Sequence, residues 1–346
     1  MSHFSQQIIT WQKQYGRHDL PWQNTQDPYA IWVSEIMLQQ TLVAAVIDYY
    51  QRFMTRFPNI AALSSASQEE VLQHWSGLGY YSRARNLHNA AQTIMDHFNG
   101  IFPNQFDDIL KLTGIGRSTA AAISTFALNA AQPILDGNVK RVFARHFLVE
   151  GWPSTPKVQA QLWQLAEQHM PNVDMIAYTQ GLMDLGATRC TRSKPKCLEC
   201  PIQSTCGAYL QNRTTHLPTP KPRKTLPQKE CVMMLISQGN EILLEKRPAT
   251  GIWGGLWSLP EIATHEIATE VAQLRYGLTV EPSEPLEMIN HVFTHFKLAI
   301  TPQPLILMHK PTYQPNNTIW LSVDDAISAA IPTPIRTILN RIKNFN

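Results

Sequence analysis

Leu112-Thr113-Gly114-Ile115-Gly116-Arg117-Ser118-Thr119-Ala120 sets two glycines one residue apart, between a short helical pattern and an Ala-rich one. That arrangement predicts a helical hairpin. Glycine lets the chain turn with positive φ and lets another backbone approach, and the free N–H groups opening the second helix favour an anion such as a phosphate. A plain turn is the alternative reading of two glycines alone. About twenty residues on, Pro133-Ile134-Leu135-Asp136-Gly137-Asn138-Val139-Lys140-Arg141 places Asp136 and Asn138 as capping side chains before an apolar-periodic segment. A carboxylate at that end of a helix is expected to stay ionised. By itself Asp136 reads as a cap.

The 346 residues suit two domains, and 44% hydrophobic content is enough for buried interiors. The first residues have no basic region leading into an apolar run, and no uncharged stretch approaches membrane-spanning length. The expectation is a cytoplasmic protein with no membrane association. The net charge of +3 is unevenly distributed: residues 1–186 carry −2, residues 187–229 carry +8 and residues 230–346 carry −3. A basic block in a nearly neutral chain is the footprint of a polyanion partner, a basic flexible linker being the alternative.

From Phe4 to about Gly207 the pattern is helical, with three- and four-residue apolar spacing over Ile31–Phe53, Glu69–Gly77, Ser82–Phe98 and Val158–His169. Residues 214–228 hold Pro218, Pro220, Pro222 and Pro227 and read as a linker. Beyond it, Cys231–Ser237 and Glu241–Arg247 read as strands joined around Gly239-Asn240, followed by a helix near His265–Tyr276. Extended segments are expected at Leu286–Thr301, Leu305–His309 and Thr318–Leu321, with a final helix from about Pro334. An all-α domain over residues 1–213 thus precedes an α+β domain over residues 229–346.

Four of the five cysteines, Cys190, Cys197, Cys200 and Cys206, fall within seventeen residues as Cys-x6-Cys-x2-Cys-x5-Cys. Disulfides suit a secreted chain, and four close thiolates suit a metal centre. Structural zinc usually shows two Cys-x2-Cys pairs and here there is one, so zinc stays open while an iron–sulfur cluster fits better. Cys231 lies outside this set and reads as a buried small apolar residue.

With the hairpin and Asp136, the cysteine spacing resembles the helix-hairpin-helix DNA glycosylases of the endonuclease III superfamily. The resemblance implies a [4Fe–4S] cluster on a loop spanning residues 187–207. Ile31-Trp32-Val33-Ser34-Glu35-Ile36-Met37-Leu38-Gln39-Gln40-Thr41 resembles more narrowly the adenine DNA glycosylases, the MutY family. On a helix Glu35 is a solitary acid sharing a face with Ile31, Leu38 and Leu42, where desolvation would raise its pKa and keep it protonated. A boundary glutamate with its head in solvent is the other reading.

The resemblance makes Glu35 the catalytic acid and Asp136 the carboxylate that stabilises a cationic sugar. It makes Gln40 and Thr41, with Leu78 and Tyr80 of the Gly77–Arg85 loop, the residues that enter the duplex, and gives Gly114, Gly116 and Ser118 to a phosphate. Endonuclease III-like enzymes carry a lysine where this chain has Ser118, so the resemblance implies a monofunctional glycosylase; Thr113 stands where many members have proline. Arg247–Pro260 resembles the family's Nudix-like C-terminal domain, and the scattered Glu261, Glu266 and Glu270 do not make the Glu-rich helix of a working Nudix hydrolase. Phe293-Thr294-His295 matches the Phe-Ser-His loop that reads 8-oxoguanine, with threonine for serine. The partner implied is double-stranded DNA carrying adenine opposite 8-oxoguanine or guanine, met by a monomer and, in a bacterial cell, at the nucleoid. An endonuclease III-like pyrimidine-lesion lyase and a non-catalytic lesion-binding iron–sulfur protein are the rival readings.

Overall fold

The computed structural model describes residues 1–222, 225–309 and 315–343, so residues 223 and 224 of the expected linker lie outside it. The chain forms two compact units: Met1–Ser65 with Asn86–Arg223, and Ala66–Arg85 with Lys224–Asn346.

The first unit is helical. At its centre is the Pro28–Leu38 helix, opened by Asp27, whose side chain accepts from the Tyr29 N–H at 3.0 Å, and by a proline at its first position. Ile31, Trp32, Val33, Ile36 and Met37 are all buried, so this helix is enclosed on nearly every side. Each large side chain taken fully out of water contributes roughly 1.5–3 kcal/mol. The helix packs against Arg117–Leu128.

The single helix expected over Ile31–Phe53 is two, Pro28–Leu38 and Val43–Arg56. Between them Gln40 takes a left-handed φ of 57° and the Thr41 N–H turns back to Leu38 O at 3.2 Å. Apolar spacing resumes at Val46, Tyr50 and Phe53 almost in phase, so periodicity does not register the break. Leu42 consequently leaves the Glu35 face and is exposed.

The hairpin forms as expected. Phe106–Lys111 and Arg117–Leu128 flank the turn, where Gly114 has φ 86° and a Cβ would lie 2.7 Å from Asn86 Cβ. Gly137–His146 follows and buries Val139, Val142 and Phe143 in a core with Ile8, Leu162, Tyr178 and Leu185.

The second unit is an eight-stranded sheet: β1 Gln228–Gln238, β2 Glu241–Lys246, β3 Trp257–Ser258, β4 Glu261–Ile262, β5 Val280–Pro282, β6 Ile289–Val292, β7 Lys297–Leu307 and β8 Thr318–Ser322. The order is β3-β2-β1-β7-β5, with β4 on β1, β6 on β7 and β8 on β2. β1 and β2 form the expected hairpin around Gly239, whose φ is 58°. The Leu286–Thr301 run is a second hairpin, β6 turning into β7 through 293–296. β7 passes through Pro302 and Pro304, where the sequence suggested an interruption. Both prolines face the side where β6 has ended, and their carbonyls accept from Leu286 and Ser283, so the missing N–H groups remove no ladder bond to β1. Ala268–Tyr276 covers the sheet, and Val323–Ser328 is a short helix that the sequence reading did not pick out.

Residues 66–85 belong to this unit by packing. Glu69, in the Gln68–Trp75 helix, accepts from Trp257 Nε1 at 2.6 Å and from Lys246 Nζ, and Arg85 Nη1 donates to Gly254 O at 2.7 Å.

Candidate active site

A cleft of about 1190 Å³ opens in the first unit, and Glu35, Gln40, Thr41, Gly114, Gly116, Ser118 and Asp136 all line it. Residues a hundred positions apart in sequence therefore meet in one place. Glu35 projects from the middle of the enclosed Pro28–Leu38 helix. Burial, and secondarily the neighbouring Asp136 charge, push its pKa up to about 8. At neutral pH it holds a proton that it can give away.

Asp136 caps the Gly137–His146 helix: one oxygen accepts from Val139 N–H at 2.7 Å, and the other from Asn138 Nδ2 at 3.2 Å. Asn138 is thus not a second cap, as the sequence suggested; it sits inside the first turn and holds the capping carboxylate. The pKa of Asp136 is nonetheless raised: burial outweighs the lowering by Val139, Asn138 and Arg141. The helix end therefore favours the carboxylate as anticipated, without fully offsetting its desolvation. Of the two acids, Asp136 has the donors that stabilise a charge, and burial holds the Glu35 pKa up.

The support around Asp136 extends outward. Arg141 donates through Nη2 to Asn138 Oδ1 at 2.8 Å and to Gly186 O at 2.6 Å, and through Nε to Cys190 O at 2.7 Å. A Cβ at Gly186 would lie 2.5 Å from Asn138 Cβ, so the close approach of these elements requires glycine there. Ser118 Oγ accepts from Leu135 N–H at 3.0 Å, fixing the strand of chain that delivers Asp136. Asn138 and Arg141 lie inside the stretch already singled out, but nothing in the residue pattern indicated that they act as a bridge.

The Arg117–Leu128 helix starts at Gly116 with no side-chain cap, and a Cβ there would meet open space. Its first N–H groups are accessible to an anion. Ile115 N–H is already bonded to Leu112 O at 3.1 Å, so the cradle rests on the neighbouring groups.

Cys190, Cys197, Cys200 and Cys206 are half-buried and line one small cavity with Arg145 and Ile202. Among the described residues, no three His, Cys, Asp or Glu side chains are grouped as a single metal ion needs. Four thiols around a shared cavity suit a larger inorganic group that reaches all of them. Arg192, Lys194 and Lys196 are exposed beside it.

The remaining predicted contacts lie in the second unit. Tyr80 is 45% exposed with φ 47°, whereas Leu78 is buried at 8%, so its side chain is not presented to a partner as the sequence reading expected. Tyr81 is also buried, its hydroxyl accepting from Gly77 N–H at 3.3 Å. Phe293, Thr294 and His295 form the turn between β6 and β7. Phe293 sits among rings, 5.6 Å from Trp253, 4.6 Å from His291 and 4.5 Å from Phe296, while Thr294 and His295 are exposed.

A helical hairpin with an open helix start, facing a cleft lined by two buried acids, is the arrangement expected of a helix-hairpin-helix base-excision DNA glycosylase. Residues 33–168 match the model of the HhH-GPD superfamily of base excision DNA repair proteins, and residues 231–341 match that of the NUDIX domain. The adenine DNA glycosylase of Buchnera aphidicola subsp. Baizongia pistaciae is 39% identical over 99% of this chain and 97% of its own length. That of Mus musculus is 32% identical over 97% of this chain and 77% of its own. The solved structure of a thermostable thymine-DNA glycosylase is similar with TM-score 0.55 and 30% identity, covering 60% of this chain and 95% of that one. The chain belongs to the adenine DNA glycosylase family.

Proposed function

We propose that this adenine DNA glycosylase acts on adenine paired with 8-oxoguanine or guanine in duplex DNA, hydrolysing the N-glycosidic bond without cutting the strand. The observation that carries this reading is the pairing of Glu35, its pKa pushed up to about 8, with Asp136 in one cleft. Glu35 protonates the extruded adenine at N7, making it a neutral leaving group. The Asp136 carboxylate stabilises the cationic sugar as the bond lengthens, directly or through a short-lived adduct, and water completes hydrolysis. Ser118 puts no amine where a Schiff base would form, and its hydroxyl is already engaged by Leu135.

Gln40 and Thr41 fill the space left by the base, and the exposed Tyr80 ring is suited to stacking on a base. The N–H groups after Gly116 take a phosphate. The four cysteines hold a [4Fe–4S] cluster, which when bound cross-links the loop carrying Arg192, Lys194 and Lys196 toward the DNA backbone. The protein works as a monomer on the bacterial chromosome; among the described residues no helix is long and apolar enough to cross a membrane.

Two measurements test the reading. The proton-donating role of Glu35 means that single-turnover adenine release falls roughly tenfold per unit above about pH 8, since a raised pKa extends the protonated form upward. An ordinary glutamate would lose its proton near pH 4.3. A rate that climbs through pH 8 contradicts proton donation by this group. For the opposite base, Phe293→Ala removes the ring from the β6–β7 turn and lowers affinity for adenine opposite 8-oxoguanine by about tenfold, with a smaller loss opposite guanine. Equal losses on both duplexes would remove 8-oxoguanine reading from this turn.

A further inference from the structure

Arg145 lies in the last turn of the Gly137–His146 helix and is only 2% exposed. Its guanidinium donates to Leu217 O through Nε at 2.7 Å, to Thr191 O through Nη1 at 2.7 Å and to Arg192 O through Nη2 at 3.0 Å. Those three carbonyls fix its plane. The second Nη1 hydrogen is left to point at a thiol: Nη1 stands 3.3 Å from Cys190 Sγ, in the cavity that all four cysteines line. Arg141 also bonds Cys190, at its backbone carbonyl.

We infer that Arg145, through its N–H···Sγ bond to Cys190 and its fixed charge, raises the reduction potential of the cluster and protects it from oxidation. The inference rests on the reading of the cysteines as [4Fe–4S] ligands. Hydrogen bonds and positive charge at a cluster sulfur favour the state with more negative charge, so removing an electron becomes harder. A guanidinium is suited to this because its planar fork bonds three carbonyls and the thiol at once. It is also held where solvent screens it little. Arg145 is a positioning residue: it acts through Cys190 and lies outside the cleft.

The test compares wild type with Arg145→Gln and Arg145→Lys, as full chains, in iron and sulfide content, in midpoint potential by protein-film voltammetry, and in bleaching by ferricyanide. Arg145→Gln is expected to shift the oxidised-to-reduced ratio about tenfold at a given potential, a drop of about 59 mV for one electron, and to bleach faster. Arg145→Lys keeps the charge without the fork and falls between the two. Fully loaded variants with the wild-type potential overturn the inference. If Arg145→Gln does not fold, Arg145→Lys carries the comparison. If neither folds, electron–nuclear double resonance of the wild-type cluster, oxidised to its paramagnetic state and with 15N-labelled arginine, decides: a guanidinium nitrogen coupled to the cluster supports the bond, and its absence overturns it. Wild type that binds no iron and sulfide overturns the cluster reading itself, and the inference with it.

Discussion

Glu35→Gln lowers single-turnover adenine release by about 10²–10⁴-fold, while affinity for the mispaired duplex stays within a few-fold. Glutamine keeps the shape and the hydrogen-bonding capacity of the side chain but has no proton to give to a leaving base. The variant is also expected to be no less stable than wild type. Burial and the Asp136 charge both oppose ionisation of Glu35, so a neutral amide removes an unfavourable group. Glycosylase rates alongside duplex binding and thermal unfolding give all three quantities. Turnover at the wild-type rate would take Glu35 out of the mechanism, and a collapse in binding would make it a structural residue.

Asp136→Asn has the second large effect, and a different signature. Asparagine is as good a helix cap as aspartate, so the bond from Val139 N–H is retained, while the bond from Asn138 Nδ2 is lost because an amide nitrogen replaces the oxygen that accepted it. What disappears is the negative charge facing the cationic sugar, and the rate falls by about 10²–10³-fold. The same change removes the charge that helps hold the Glu35 pKa up. The alkaline limb of the residual rate therefore moves to lower pH, because the raising influence of a neighbouring anion is gone. A rate loss without that shift would separate the two acids; an unchanged rate would leave Asp136 as a cap and nothing more.

These residues show how far the sequence could be read. The hairpin was legible because Gly114 and Gly116 sit where a turn needs them, and β1 and β2 because Gly239-Asn240 separates two β-like apolar runs. Glu35 was legible as an acid among apolar neighbours, since i+3 and i+4 spacing is local. The gap at Gln39–Leu42 was not, because apolar spacing resumes almost in phase after it. The strand through Pro302 and Pro304 was hidden because its tolerance depends on where β5 and β6 leave β7 without a paired strand, a property of the sheet. Asp136 was read as a charged cap because its donors are local, whereas the walls that desolvate it come from distant segments. For the same reason the link from Asp136 through Asn138 and Arg141 to Cys190 could be seen only once the chain was folded.

The measurement that bears most directly on the central claim is single-turnover incubation with a duplex carrying adenine opposite 8-oxoguanine, half of each sample being treated with alkali before the strands are resolved. Free adenine, with a nick that appears mainly after alkali, is the result expected of Glu35 and Asp136 working with water and of Ser118 offering no amine. A nick at the adenine site without alkali would contradict hydrolysis without strand cleavage, and intact adenine in a bound duplex would contradict catalysis by this pair of acids.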